Sequence, residues 1–116
     1  MLLTEDLDVF KKAHKVTLEI YRLCAEFPKD EKYGLSSQMK RAAVSINSNL
    51  MEGSARSTLG ERKQFLGISR GSASELQYQV MLSRDIGLIE KERADLVIED
   101  LLKIRQMLSG LMKVAK

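Results

Sequence analysis

The chain of 116 residues has one cysteine, one proline, one histidine and no tryptophan, and only three tyrosines and three phenylalanines. Each scarcity closes off a class of protein. A lone Cys24 can neither form an internal disulfide nor complete a zinc site built on paired thiols, so a reducing compartment is its natural setting. With His14 as the sole histidine, a multi-histidine metal site and a histidine-based triad have no residues to choose from. Aromatic residues interleaved with basic ones, the pattern used to stack bases, are missing, as is a glycine-rich phosphate loop. No segment approaches the roughly 20 apolar residues that a bilayer crossing requires. Acids at Glu5, Asp6 and Asp8 precede the first lysine, where a secretory signal would be basic. A soluble, cytoplasmic protein with no membrane partner is the expectation.

What the chain does have is Leu, Met, Glu, Lys and Arg in abundance, a composition that favours helices over sheet. Its length fits one domain, residues 1–116, with enough chain to bury a core. Apolar residues recur at three- and four-residue spacing in four segments, which predicts helices over about 6–27, 36–53, 59–89 and 94–111. The first carries Phe10, Ala13, Val16, Ile20 and Leu23 and stops before Pro28, because proline restricts the residue that precedes it. In the second, Leu35, Met39, Ala42, Ala43, Ile46 and Leu50 make the stripe, and Val44 and Met51 widen it beyond what one partner helix needs. Thr58 and Glu61 have capping-box spacing at the start of the third, where Phe65, Ile68, Ser72, Leu76, Gln79 or Val80, Ile86 and Ile89 form the expected stripe. Leu101, Ile104, Leu108, Leu111 and Met112 supply the fourth after a charged EKERAD turn. Short connections force neighbours to run antiparallel, so the predicted fold class is all-α, an antiparallel up-down-up-down four-helix bundle.

Small side chains crowd residues 38–75: Ala42, Ala43, Ser45, Ser48, Ser69, Gly71, Ser72, Ala73 and Ser74. Helices that meet through such residues approach closely, and Gly67 and Gly71, four apart, are the expected points of close helix packing. Arg41, Asn49, Glu52, Arg70 and Glu75 lie in the same stretch and are read as a structural polar network, in which Glu52 has Arg56 one turn on and Arg41, Arg70, Asn49 and Ser45 as other partners inside the seam. No Glu-x-x-His pair exists, so a di-metal carboxylate site lacks its ligands; no catalytic, cofactor or metal residue is assigned, and a non-enzyme is expected.

Charge adds one functional hint. Residues 35–70 hold six Lys or Arg against two Asp or Glu, an excess of +4 against +3 for the whole chain. With Arg41 and Arg70 committed to the seam, Lys40, Arg56, Arg62 and Lys63 are the candidate nucleic-acid contacts.

The run YGLSSQMKRAAVSINSNLMEGSARST followed by GISRGSASELQYQV resembles the family encoded in intervening sequences of bacterial 23S ribosomal RNA, also called the S23 family. The Arg41-Ala42-Ala43, Ser45-Ile46, Asn49, Glu52-Gly53 and Gly71-Ser72-x-x-Glu75 matches carry that resemblance, which spans nearly the whole chain. The chain departs from the family pattern at Asn47, where proline is common, and at Ser48, Leu50 and Met51. The resemblance implies a four-helix protomer. Through the related accessory proteins of diversity-generating retroelements, it also implies a cyclic homo-oligomer, a pentamer, with positive surface for structured RNA or a reverse transcriptase-like protein. A scaffold without a nucleic-acid role is the alternative.

Overall fold

The computed structural model describes residues 4–31 and 34–114. Four antiparallel helices follow one another: α1 (Asp8–Ala25), α2 (Leu35–Ser54), α3 (Leu59–Asp85) and α4 (Lys91–Val114), with single 3-10 turns at Thr4–Asp6 and Lys29–Glu31. No strand occurs among the described residues. Each helix packs on its neighbours in the chain and α1 returns to α4, so the four close a ring about one core, 43 Å long and 24 by 20 Å across. This is the expected up-down-up-down bundle.

Local chemistry sets the helix ends. Thr58 caps α3: its hydroxyl oxygen accepts from the Glu61 amide at 3.1 Å and its hydroxyl reaches the Glu61 carboxylate at 3.0 Å. At the other end α3 stops at Asp85, four residues before the expected Ile89, and Gly87 is the reason. Its φ of +83° turns the chain left-handed; the Leu88 amide then donates to the Ser83 carbonyl at 2.8 Å and the Gly87 amide to the Arg84 carbonyl at 3.1 Å. That pair of bonds is a Schellman motif, which satisfies carbonyls the helix leaves open. Because the turn needs so few residues, Lys91, Glu92 and Arg93 are helical rather than a charged turn, and the Ala94 amide already donates to Glu90.

The core is assembled from one stripe per helix. Ala13, Val16, Ile20 and Leu23 of α1 meet Met39, Ala43, Ile46 and Leu50 of α2, Leu76 and Val80 of α3, and Val97, Leu101, Ile104 and Leu108 of α4, all buried. Burying each of the larger side chains contributes about 1.5–3 kcal/mol. In α3 the buried face keeps Leu76, Gln79 and Val80 of the predicted one but otherwise shifts: it runs on through Ser69, Ala73 and Ser83, while Ile68 and Ile86 are 44% and 56% exposed. Small residues face inward because α2 lies close. Ser69 donates its hydroxyl to the Ile46 carbonyl across the seam at 2.7 Å, and Ser83 donates to the Gln79 carbonyl at 2.8 Å, so neither buried hydroxyl is left without a partner.

The close approach does not fall at the glycines the spacing picks out. A Cβ on Gly71 would meet open space within this chain, and one on Gly67 would touch only the Met112 methyl at an ordinary 3.7 Å. Gly53, at the end of α2, is the tight position: a Cβ there would stand 2.9 Å from the Phe65 Cβ. Gly53→Ala must push α2 from α3 and is expected to lower stability by about 1–3 kcal/mol. Gly71→Ala is expected to raise it by about 0.5–1 kcal/mol through helix propensity. Urea melts of the two variants check the pair; a Gly53→Ala midpoint at or above that of the unaltered protein would place the seam elsewhere.

Candidate functional site

The residues expected to share one polar network are distributed over three places. Between α2 and α3, Arg41 and Glu75 line one shallow groove with Gln38, Ala42, Ser45 and Ser72, but no ion pair within 4.0 Å joins them. A pair of hydroxyls crosses that seam instead, the Ser45 and Ser72 oxygens 2.8 Å apart; within α2 the Asn49 amide donates to the Ser45 carbonyl at 2.8 Å and to its hydroxyl at 2.9 Å. Glu75 accepts from Gln79 at 3.1 Å, one turn along its own helix. Glu52 pairs with Arg56 at the exposed end of α2, and Arg70 leaves the seam altogether to donate to Ser109 of α4 at 3.1 Å. The Glu52–Arg56 pairing expected one turn apart is present, whereas the expected neutralisation of seam carboxylates by Arg41 and Arg70 is corrected. Serine and asparagine suffice where the helices are close, and charges are held at the rim, where burial costs them nothing.

Asn47, standing where the family pattern has proline, ties α1 to α2 by donating to the Phe10 carbonyl at 2.9 Å. On the opposite side, α4 is fixed by charge: Arg93 reaches Glu19 at 3.2 Å and Glu26 at 3.0 Å, and Lys12 reaches Asp100 at 3.3 Å. Arg84 and Lys91 both bond Asp95, at 2.9 and 2.7 Å. Hydrogen bonds from Lys91 and then Arg84 hold the Asp95 carboxyl below its ordinary range. A depressed carboxyl contributes stability above its unfolded pKa, and this α3–α4 tie is lost as pH falls through the lower folded value.

Of the four candidate contact cations, three gather at the α2–α3 turn. Arg56 is paired with Glu52 and lies over the Phe65 ring at 4.9 Å, Arg62 donates to the Arg56 carbonyl at 3.0 Å, and Lys63 is exposed. Lys40 sits over the Tyr21 ring at 5.2 Å, about 21 Å along α2 from its last residue, Ser54, at 1.5 Å per residue. The four do not make one patch.

A second basic region was not anticipated from the sequence. Arg70, Arg105 and Lys113 line an open groove of about 720 Å³ along α3 and α4, with Leu102, Gln106, Ser109 and Gly110. Arg105 donates to Gln77 at 2.8 Å. None of the three cations has a carboxylate within 4.0 Å among the described residues. The signal was present as the i, i+4, i+8 spacing of Arg105, Ser109 and Lys113, but it lies outside the stretch with the largest charge excess.

No group of three or more His, Cys, Asp or Glu among the described residues could hold a metal ion, and no helix there is long and apolar enough to cross a membrane. Large apolar side chains are exposed on all four helices: Leu18 and Tyr21 of α1, Val44 and Met51 of α2, Leu59, Ile68 and Tyr78 of α3, and Leu96, Leu102 and Val114 of α4.

Fold and surface together define a four-helix bundle with polar seams. A family model described as 23S rRNA-intervening sequence protein matches residues 5–110, and the chain belongs to that family. Among solved structures it is similar to a protein of unknown function from the S23 ribosomal protein family of Bacteroides thetaiotaomicron VPI-5482. That similarity has a TM-score of 0.83 at 23% identity and covers 90% of this chain and 98% of the other. No curated protein matches the sequence.

Cys24 is buried beneath the α1–α2 connection, and desolvation pushes its thiol pKa up. Since the thiolate is the reactive form, the folded protein is expected to react with iodoacetamide at least about 100-fold more slowly than the urea-unfolded chain. Equal rates would show that Cys24 is open to solvent. A raised thiol pKa also makes the protein lose stability as pH rises through the alkaline range, because the unfolded chain gives up its proton first.

Proposed function

We propose that the protein is a non-enzymatic homo-oligomer, a ring of five protomers, that binds structured RNA through basic surface. The observation that carries the nucleic-acid part is the state of the six cations in residues 35–70: Arg56 alone has a carboxylate within 4.0 Å among the described residues. Uncompensated positive charge on a rigid frame suits a polyanion. Repetition around a ring multiplies a modest field per chain, and weak contacts from several protomers then act together.

The exposed Leu18, Tyr21, Val44 and Met51 support assembly, since Val44 and Met51 are the residues that widen the α2 stripe beyond its partner within the chain. They suit burial against another copy, and a closed ring leaves no adhesive end. The same apolar face also fits the scaffold reading, in which assembly serves no nucleic acid.

Two measurements separate these readings. Light scattering after size exclusion is expected to give five times the protomer mass at tens of micromolar, and a monomer there would reject the ring. Fluorescence anisotropy with a structured RNA is expected to show affinity falling about 100-fold between 50 and 200 mM salt, the dependence set by three or four phosphate contacts. A ring that binds no RNA at low salt would leave the scaffold.

A further inference from the structure

We infer that the α3–α4 groove bearing Arg70, Arg105 and Lys113 is the principal seat of the RNA phosphodiester backbone. The assignment rests on the RNA-binding reading above and locates its contact surface.

Three observations support it. First, the groove is lined by three cations and no carboxylate, so its charge is uncompensated from within the described residues. Elsewhere on α4, by contrast, Lys91, Arg93 and Lys103 all have acidic partners. Second, neutral acceptors hold the two arginines in place. Gln77 takes one hydrogen bond from the Arg105 Nη1 and Ser109 takes one from the Arg70 Nη1, which leaves both forks charged, positioned and with nitrogens to spare. Fixing a guanidinium without neutralising it lowers the ordering cost of binding a phosphate. Arg56, which is already paired with Glu52, lacks that property.

Third, the layout suits a strand rather than a single anion. Arg105 and Lys113 are eight residues apart on one face of α4, about 12 Å at 1.5 Å per residue, so one phosphate cannot satisfy both. A ligand with charges repeated along a line can. Between the two cations, Gly110 presents no side chain and a Cβ there would meet nothing, so the backbone of a strand can lie against the helix. Gln106 and Ser109 add neutral hydrogen-bonding groups that a ribose 2′-hydroxyl can use and a deoxyribose cannot.

The test is anisotropy with the structured RNA and a DNA duplex of equal length, comparing the unaltered protein, Arg105→Gln/Lys113→Gln, and a control of equal charge change, Lys11→Gln/Lys29→Gln, in which both lysines are exposed and distant in sequence from the groove. The groove variant is expected to lose at least about tenfold in RNA affinity and to flatten the slope of log affinity against log salt by about two, while the control stays within about threefold. Lys113→Glu alone, at an exposed position near the end of α4, is expected to lose about fivefold and covers the case in which removing Arg105 impairs folding. RNA binding unchanged in both Arg105→Gln/Lys113→Gln and Lys113→Glu would overturn the groove while leaving the RNA reading intact. Equal losses in the groove variant and the control would overturn it as well, since net charge alone would then explain binding. Failure of the unaltered protein to bind RNA at low salt would instead reject the RNA reading, and the groove assignment with it. Equal affinity for the DNA duplex would contradict the role given to Gln106 and Ser109.

Discussion

The structure depends on how closely α2 and α3 approach. Where two helices pack through serine, alanine and glycine, their backbones come near enough for a hydroxyl on one to reach a carbonyl on the other, as Ser69 does to Ile46. A hydroxyl shut away from water is costly unless it bonds, and here each buried serine hydroxyl of α3 has a carbonyl to donate to. The seam therefore tolerates polarity without charge. Once α2 and α3 are fixed in this way, α1 and α4 complete the core with larger side chains such as Ile20, Leu101, Ile104 and Leu108.

That division of labour also shapes the surface. Because the seam uses neutral groups, its arginines are released to the outside: Arg41 lines a rim groove, and Arg70 crosses to α4. A bundle that had buried Arg70 against a glutamate would have lost one wall of its α3–α4 groove. Meanwhile α1 and α4 are held by ion pairs such as Lys12–Asp100 and Arg93–Glu19. Cations without a carboxylate partner therefore stand along the α3–α4 groove and at the α2–α3 turn, whereas exposed apolar side chains occur on all four helices, Leu102 of the groove among them.

Much of the fold was legible in the sequence, since helical periodicity and short connections leave few alternatives to an antiparallel bundle. The Thr58 cap and the α2 stripe were readable because capping spacing and apolar period are local signals. The buried face of α3 was not, because a search for large apolar residues selects Ile68 and Ile86, whereas a close seam buries the serines beside them. Gly71 and Gly53 show the same limit. Spacing reveals where a glycine could admit a neighbour, but only the phase of the helix decides whether a neighbour is there. Of the polar pairs only the local one was legible, Glu52 with Arg56 one turn on, because partners such as Arg70 and Ser109 are 39 positions apart.

The central claim, that the bundle is built on a close α2–α3 seam in this helical phase, is tested most directly by urea denaturation of Ser69→Leu beside Ile68→Ser. The serine, fully buried, has no room for four carbons, so Ser69→Leu is expected to lose about 1–3 kcal/mol or more. Ile68→Ser, at a position 44% exposed, is expected to stay within about 0.5 kcal/mol. The reverse result, a tolerated leucine at 69 and a collapse on removing Ile68, would contradict the seam and restore the face that hydrophobicity alone would choose.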